Sequence, residues 1–394
     1  MASNASTKNS VFLLPEGEIK EHKTFHVPLL VAALVLLMIL GFSNLYSAAY
    51  GTPLFSIQLR NLVVTISAFL VFGWAIPARV YSGYAYPVFA LVCILLTVVL
   101  VLGKIAGGSQ RWLSLGPIGF QPSEFAKLSV ILTVATYFAS HRIERPYRLT
   151  DLWPIFGIVG VAFGLIFAQP DFGTAGICAL IVLTQLIFLR IDLQSMVLTL
   201  VVSPLIGLVG WLFFLRPYQK LRILNLINPS FDPQNTGYNS LQSLIAVGSG
   251  GLWGKGYMQG TQAQLKFLPA RHTDFIFSVF AEEHGFWGAA LVFFLFGTLI
   301  YLALDIAREA RDTFSGLTAI GIAALIFWEY IINIAMVLGL FPVVGVPLPF
   351  FSFGSSMLLT ICMALGILVA IHRHTHLKRG QEQPKGKFIV VEKG

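Results

Sequence analysis

Runs of about twenty apolar residues recur from one end of the chain to the other, and this repetition limits the available folds more than any other feature. A helix needs about 20 such residues to cross the roughly 30 Å hydrocarbon core of a bilayer. Stretches of that kind lie at 27–48, 57–76, 84–103, 121–139, 152–168, 173–190, 194–215, 275–304, 315–341 and 353–373. Of the 394 residues, 56% are hydrophobic and only 11% charged, whereas a soluble domain carries about 25% charged residues. The runs are therefore membrane spans, not core helices of a water-soluble protein. The expected fold is an all-α polytopic membrane protein with ten transmembrane helices.

Orientation follows from the basic residues. Residues 1–26 mix Lys8, Lys20 and Lys23 with Glu16, Glu18 and Glu21, which predicts a cytoplasmic tail rather than a secretory signal. With both termini inside, the inner segments hold 16 of the 26 Lys and Arg, among them Arg79, Arg142, Arg145, Arg148, Arg190, Arg308 and Arg311. Short loops rich in Lys and Arg stay cytoplasmic. The expected layout is a tail over 1–26, a membrane domain over 27–373 with a long extracytoplasmic loop at 216–270 between helices 7 and 8, and a cytoplasmic tail over 374–394. The net charge of +8 is explained by these anchors against anionic lipid, so no nucleic-acid partner follows from it. Cys93, Cys178 and Cys362 each fall within a span and read as packing residues rather than a disulfide framework or zinc cluster.

Three segments on the predicted outer side could wall a cavity. They are the Gly-rich loop 104–120 with Arg111-Trp112, the long loop 216–270, and Phe341-Pro342-Val343-Val344-Gly345-Val346-Pro347-Leu348-Pro349, whose prolines and glycine exclude a continuous helix. Polar residues at their edges each have two readings. Pro122-Ser123-Glu124 is a good helix start, yet Lys127 follows Glu124 by three residues on the same face, at a depth where ionisable groups point to function. Asp171 can be the N-cap of span six or a site residue. Glu282 and Glu283 are expected near the bilayer middle, with at least one pairing inside the bundle. Glu329, with Asn333 one turn later, reads as structural.

Asp274 is the strongest candidate. It ends the run Arg271-His272-Thr273-Asp274, just before the apolar Phe275-Ile276-Phe277. An N-cap does not need the cations Lys266, Arg271 and His272 beside it. Those charges are expected to hold the carboxylate ionised, as a general base or a metal ligand must be.

The runs Gly108-Ser109-Gln110-Arg111-Trp112, Phe120-Gln121-Pro122-Ser123-Glu124-Phe125-Ala126-Lys127, Gln169-Pro170-Asp171-Phe172-Gly173-Thr174, Phe267 to Phe277 and Pro347 to Ser356 resemble those of the shape, elongation, division and sporulation family. The match extends in order from about residue 27 to 373. Arg271-His272-Thr273-Asp274-Phe275 followed by Ala281-Glu282-Glu283 is more similar to the elongation branch than to the division branch. The family often has Glu where Ala270 stands and a second Gly where Ser355 stands.

The resemblance implies a peptidoglycan glycosyltransferase that polymerises lipid II at the outer face of the cytoplasmic membrane, working with a class B penicillin-binding protein in the elongation machinery. It implies Asp274 as the catalytic residue, with Arg111, Trp112, Glu124, Lys127 and Asp171 supporting activity. In that mechanism Asp274 takes the proton of the attacking hydroxyl. Arg111, Lys127, Arg271 or a divalent cation, Mg or Mn, held at Asp274 would take up the departing diphosphate. Two other functions fit a ten-span chain with intramembrane charges: a lipid II flippase or transporter, and a non-catalytic scaffold for a penicillin-binding protein. The outward clustering of the charges argues against alternating access.

Overall fold

The computed structural model describes residues 26–382 except 107, 108, 116, 117, 142, 144, 190, 228–235 and 266. Both outer tail segments, Gly108, Arg142, Arg190 and Lys266, which figure in the sequence reading, lie outside the described residues.

A helix stands at each of the ten apolar stretches: α1 His26–Ala48, α2 Leu54–Leu70, α3 Ala78–Leu102, α4 Pro122–Ser140, α5 Trp153–Ala168, α6 Phe172–Ile187 and α7 Leu193–Val209 in the first part of the chain. The region after α7 holds α8 Pro217–Ile227, α9 Thr236–Gly250 and the single turn α10 Thr261–Gln264, and the chain ends with α11 Ile276–Glu309, α12 Thr313–Val337 and α13 Ser355–Glu382. Among the described residues six helices are long and apolar enough to cross a membrane, and α5 and α6 are shorter apolar helices. The chain is thus a multi-pass membrane protein.

Helix α4 explains how charged residues enter such a bundle. It buries 14 of its 19 residues because α3, α5, α6, α12 and α13 surround it. A helix enclosed by protein has no lipid face to keep apolar, which leaves room for Glu124 and Lys127. Helices α12 and α13 are likewise mostly buried.

Two segments expected as loops are structured. Residues 104–120 form an antiparallel sheet of β1 Lys104–Ala106, β2 Ser109–Leu115 and β3 Ile118–Phe120, in that order, with Lys104 opposite Trp112 and Leu113 opposite Phe120. The region after α7 is largely helical, and α9 packs on α11, where Ser243 Oγ lies 2.8 Å from Ser278 Oγ and donates to the Val337 carbonyl at 2.7 Å. The turn after α9 wedges into α11. Phe286 N donates to Gly251 O at 2.9 Å, while Lys255 N and Gly256 N donate to the Glu282 and Glu283 carbonyls at 2.9 and 3.0 Å. Gly285 gives way at that point with φ 64° and ψ −160°. A side chain there would meet Gly254 N at 2.3 Å, so the kink requires glycine.

Candidate active site

Asp274 lies outside the helix it precedes. Residues 270–275 form tight turns, with Thr273 N and Phe275 N both donating to Ala270 O at 3.2 Å, and α11 starts only at Ile276. The cap position falls to Phe275, with no side-chain cap bond. This turn is sutured to the segment before α13. Asn333 Nδ2 donates to both Asp274 O and Val346 O at 2.8 Å, Ser352 Oγ donates to Thr273 O at 2.7 Å, and Phe353 N donates to His272 O at 2.9 Å. Backbone bonds therefore hold Asp274 in place and leave its carboxylate available. Gly345, at φ +74°, closes the approach, and a Cβ there would stand 3.6 Å from Asp274 Oδ2.

The charges around Asp274 differ from those adjacent in sequence. Burial pushes its carboxyl above the usual carboxylate range, Arg222 and Arg111 pull it down, and Asp171 adds to the rise. Burial thus outweighs the cations, contrary to the expectation that charge alone would set its state. Arg271 is engaged elsewhere: its Nε donates to Ala48 O at 2.8 Å and ties the turn to the end of α1. Burial and then Arg271 push the His272 imidazole below its ordinary range, so His272 is neutral near pH 7 and is no cation. Arg222, on α8, was not singled out from the sequence. Its signal was faint, a basic residue with Tyr218 one turn before it in a short helix of mixed polarity, and its guanidinium lies 5.7 Å from the Tyr218 ring centroid.

Arg111 and Arg222 line one cavity of about 140 Å³ together with Pro170, Tyr218, Pro342 and Val344. Arg111 Nη2 donates to Pro170 O at 2.7 Å and Nη1 lies 3.4 Å from Asp171 Oδ1. Its Nε is buried without a hydrogen bond. A cavity this size is below the roughly 300–1,000 Å³ of a site for a whole drug-sized ligand, so it admits one polar group of a larger substrate. Two guanidiniums facing it favour an anion with several oxygens.

The remaining predicted residues support this cavity at one remove or belong elsewhere. Asp171 does cap α6, accepting from Thr174 N at 3.3 Å, and also takes bonds from Gln121 Nε2 at 3.3 Å and Ser123 Oγ at 3.4 Å. It is both cap and anchor for Arg111. Trp112 lies against Gly119, where a Cβ would meet its ring at 3.2 Å, and thus packs the sheet. Ser355 Oγ donates to Gly119 O at 3.4 Å and Ser356 Oγ accepts from Gln121 N at 3.0 Å, so the residue at the family's usual second glycine fastens the sheet to α13.

Lys127 is not free to bind diphosphate. Its ammonium donates to Glu124 at 2.9 Å and, in a tighter contact, to Glu329, all three side chains being buried. Glu329 is therefore the second carboxylate of a closed triad. Glu282 and Glu283 both pair inside the bundle. Glu282 accepts from Lys255 Nζ at 2.7 Å, Thr261 Oγ1 at 3.0 Å and Gln262 N at 3.2 Å, and Glu283 accepts from Ser47 at the end of α1. Both are buried and paired, as expected for at least one of them, and the turn after α9 supplies the partners of Glu282.

The family model described as "Cell cycle protein", which groups FtsW, RodA and SpoVE, matches residues 21–377. The chain belongs to that family. It is 42% identical over 299 residues to the peptidoglycan glycosyltransferase MrdB of Escherichia coli, covering 76% of this chain and 80% of that one. It is 34% identical over 308 residues to the probable peptidoglycan glycosyltransferase FtsW of Thiomicrospira cyclica, covering 77% and 79%. Among solved structures it resembles the rod shape determining protein RodA of Thermus thermophilus, with TM-score 0.65 and 29% identity over 87% of this chain and 95% of that one. A chain of a peptidoglycan synthase complex, described as coordinating polymerization and crosslinking, matches with TM-score 0.76 and 29% identity over 87% and 96%.

Proposed function

We propose that this chain is a peptidoglycan glycosyltransferase that polymerises lipid II, with Asp274 as general base. The observation that carries the site assignment is a backbone-held carboxyl, Asp274, whose charge is felt by Arg222 and Arg111, the two guanidiniums that line one small cavity. Identity of 42% to an MrdB against 34% to an FtsW supports the elongation branch, and the likeness to a synthase-complex chain supports a class B penicillin-binding protein as partner. The ten helices at the predicted spans and the basic residues of the short loops support ten crossings, the segment between α7 and α11 outside and both tails in the cytoplasm.

Glycosyl transfer with release of a polyprenyl diphosphate needs a base at the attacking hydroxyl and positive charge at the leaving group. Asp274 removes the proton of the acceptor's 4-hydroxyl as it attacks the anomeric carbon of the growing strand. A carboxyl pushed up by burial is a stronger base than one in water. Arg111 and Arg222 hold the departing diphosphate, whose oxygens accept from their forks. A divalent cation, Mg or Mn, fits this site only together with the diphosphate. Asp274 is the carboxylate that would hold it, with the diphosphate offsetting the two guanidiniums that repel a bare cation. Bound there, it would neutralise charge on the leaving group.

The test is a polymerisation assay on purified protein in detergent, with labelled lipid II, Mg or Mn, and the partner transpeptidase, products being resolved on a gel. A glycan ladder that disappears in Asp274→Asn supports the assignment. A ladder that persists in the variant overturns Asp274 as base. Lipid II flux across vesicles without a ladder moves the reading to a flippase, and neither flux nor ladder moves it to a scaffold.

A further inference from the structure

At the end of the bundle away from Asp274, three helices bring imidazoles and carboxylates together. His26 is the first residue of α1, Asp305 and Glu309 lie one turn apart at the end of α11, and His372 and His376 lie one turn apart on α13. Helix α1 runs 23 residues from His26 to Ala48, about 33 Å at 1.5 Å per residue, and its far end is held by Arg271 of the turn that carries Asp274. The two sites therefore lie on opposite sides of the bundle.

The arrangement around Glu309 is specific. His26 Nδ1, His372 Nδ1 and His376 Nε2 stand 3.9, 3.8 and 3.6 Å from Glu309 Oε2. Those separations are too long for hydrogen bonds, and neither His26 Nδ1 nor His376 Nε2 makes one. The donor atoms of His26, Glu309 and His372 lie within 4.8 Å of one another. Ligands about 2.0–2.1 Å from a tetrahedral zinc ion are about 3.3 Å apart, so side-chain movements of up to about 1.5 Å would draw these three round an ion, with His376, whose Nε2 is 3.6 Å from Glu309 Oε2, in reach as a fourth ligand. The other nitrogen of His26, Nε2, lies 2.8 Å from Asp305 Oδ2. A carboxylate behind a ligating imidazole fixes its tautomer and aims the free nitrogen at the metal. His26 is only 8% exposed, and its Nδ1 faces this gap.

We propose that His26, His372, His376 and Glu309 bind one transition-metal dication, with Asp305 orienting His26. Three imidazoles and one carboxylate select zinc over magnesium, whose preference is for oxygen. Four protein ligands make a closed, structural site that fastens the start of α1 to the ends of α11 and α13. The ion's charge is balanced by Glu309 and Asp305. This site differs in donors and in position from the oxygen-only site at Asp274 and does not depend on the glycosyltransferase reading.

The test uses full-length protein without an affinity tag, stripped with chelator in detergent and titrated with Zn2+ or Co2+. One equivalent of zinc retained through gel filtration, the visible bands of four-coordinate Co2+, and a thermal midpoint raised by zinc and lowered again by chelator support the site. His372→Ala should lose the equivalent, Asp305→Asn should weaken binding about 10–100-fold, and Asp274→Asn should bind as the unaltered protein does. If His372→Ala fails to fold, His376→Gln, whose parent side chain is 33% exposed, should weaken zinc binding on its own. No retained zinc, a six-coordinate cobalt spectrum, or undiminished binding by both His372→Ala and His376→Gln would overturn the proposal. Binding unaffected by Asp305→Asn would remove Asp305 from it.

Discussion

The Arg111–Arg222 cavity near Asp274 and the Lys127 triad both place ionisable groups within an apolar bundle, but their charges are balanced in opposite ways. In the triad one ammonium sits between Glu124 and Glu329, fully buried, and every charge has its partner in the fold. At the cavity Arg222 and the Asp171-anchored Arg111 line an open space, and nearby Asp274 is held by its backbone rather than its carboxylate. Burying a charge is expensive unless it is paired. A group that is buried, positioned and left with spare capacity therefore points to a missing ligand, while a closed triad points to the fold itself. Depth in the membrane does not separate the two cases; satisfaction does.

The sharpest way to break this contrast is Asp274→Asn. Loss of a general base should lower turnover by about 10²–10⁴-fold, measured as glycan product per folded enzyme. Stability should move the other way. A carboxyl whose folded pKa lies above its unfolded value stabilises the fold below the ordinary carboxylate range and loses that contribution as pH rises through the raised value. Asp274→Asn should therefore melt higher than the parent at neutral pH, the gap closing on acidification, and the parent's rate should rise with pH through the same interval. A lower melting point at neutral pH would show that Asp274 is structural.

Lys127→Met probes the other side of the contrast. Leaving two buried carboxylates unpaired should destabilise by about 3–5 kcal/mol, seen as a lower melting point and less folded protein. Adding Glu124→Gln and Glu329→Gln should restore much of the stability, with turnover per folded molecule retained. A triple variant that melts normally but makes no glycan would move the triad into the chemistry.

Arg222→Ala should lose a charge-assisted contact to the diphosphate, about 1.5–3 kcal/mol, or roughly 10–150-fold in kcat/KM for lipid II. Arg271→Ala, whose guanidinium holds Ala48, should affect the melting point more than kcat/KM. The reverse order would restore the expectation that neighbours in sequence serve Asp274. The smallest effect belongs to Gly345→Ala. A side chain at φ +74° costs about 1–2 kcal/mol, and its methyl beside Asp274 Oδ2 should lower activity only modestly, checked by melting and assay together.

Much of the site was legible where the cause was local. Asp274 stood out because a carboxylate before an apolar run is unusual, and Glu124 with Lys127 because a three-residue spacing shares a helical face. Arg222 was missed because nothing in the sequence says that α8 folds over the cavity. Lys266 falls outside the described residues. Arg271 and His272 were overvalued because adjacency along a tight turn does not give adjacency in space. The partner of Glu282, Lys255, was missed because the segment after α9 was read as an open loop, and the sheet at 104–120 escaped because Gly-rich segments carry little strand pattern.

Hydropathy and helical periodicity act over a few turns, so the sequence alone determined the apolar helices, their breaks at proline and glycine, and the polar run that carries Asp274 to the start of one of them. Charge pairing acts between groups that only the packed bundle brings together. Lys127 meets Glu329 from 202 residues away, Arg111 and Arg222 converge on one cavity from a strand and a helix, and His26 meets Glu309 and His372 from opposite ends of the chain. Inside hydrocarbon each such encounter decides whether a charge is satisfied or left available, and only the tertiary structure decided that.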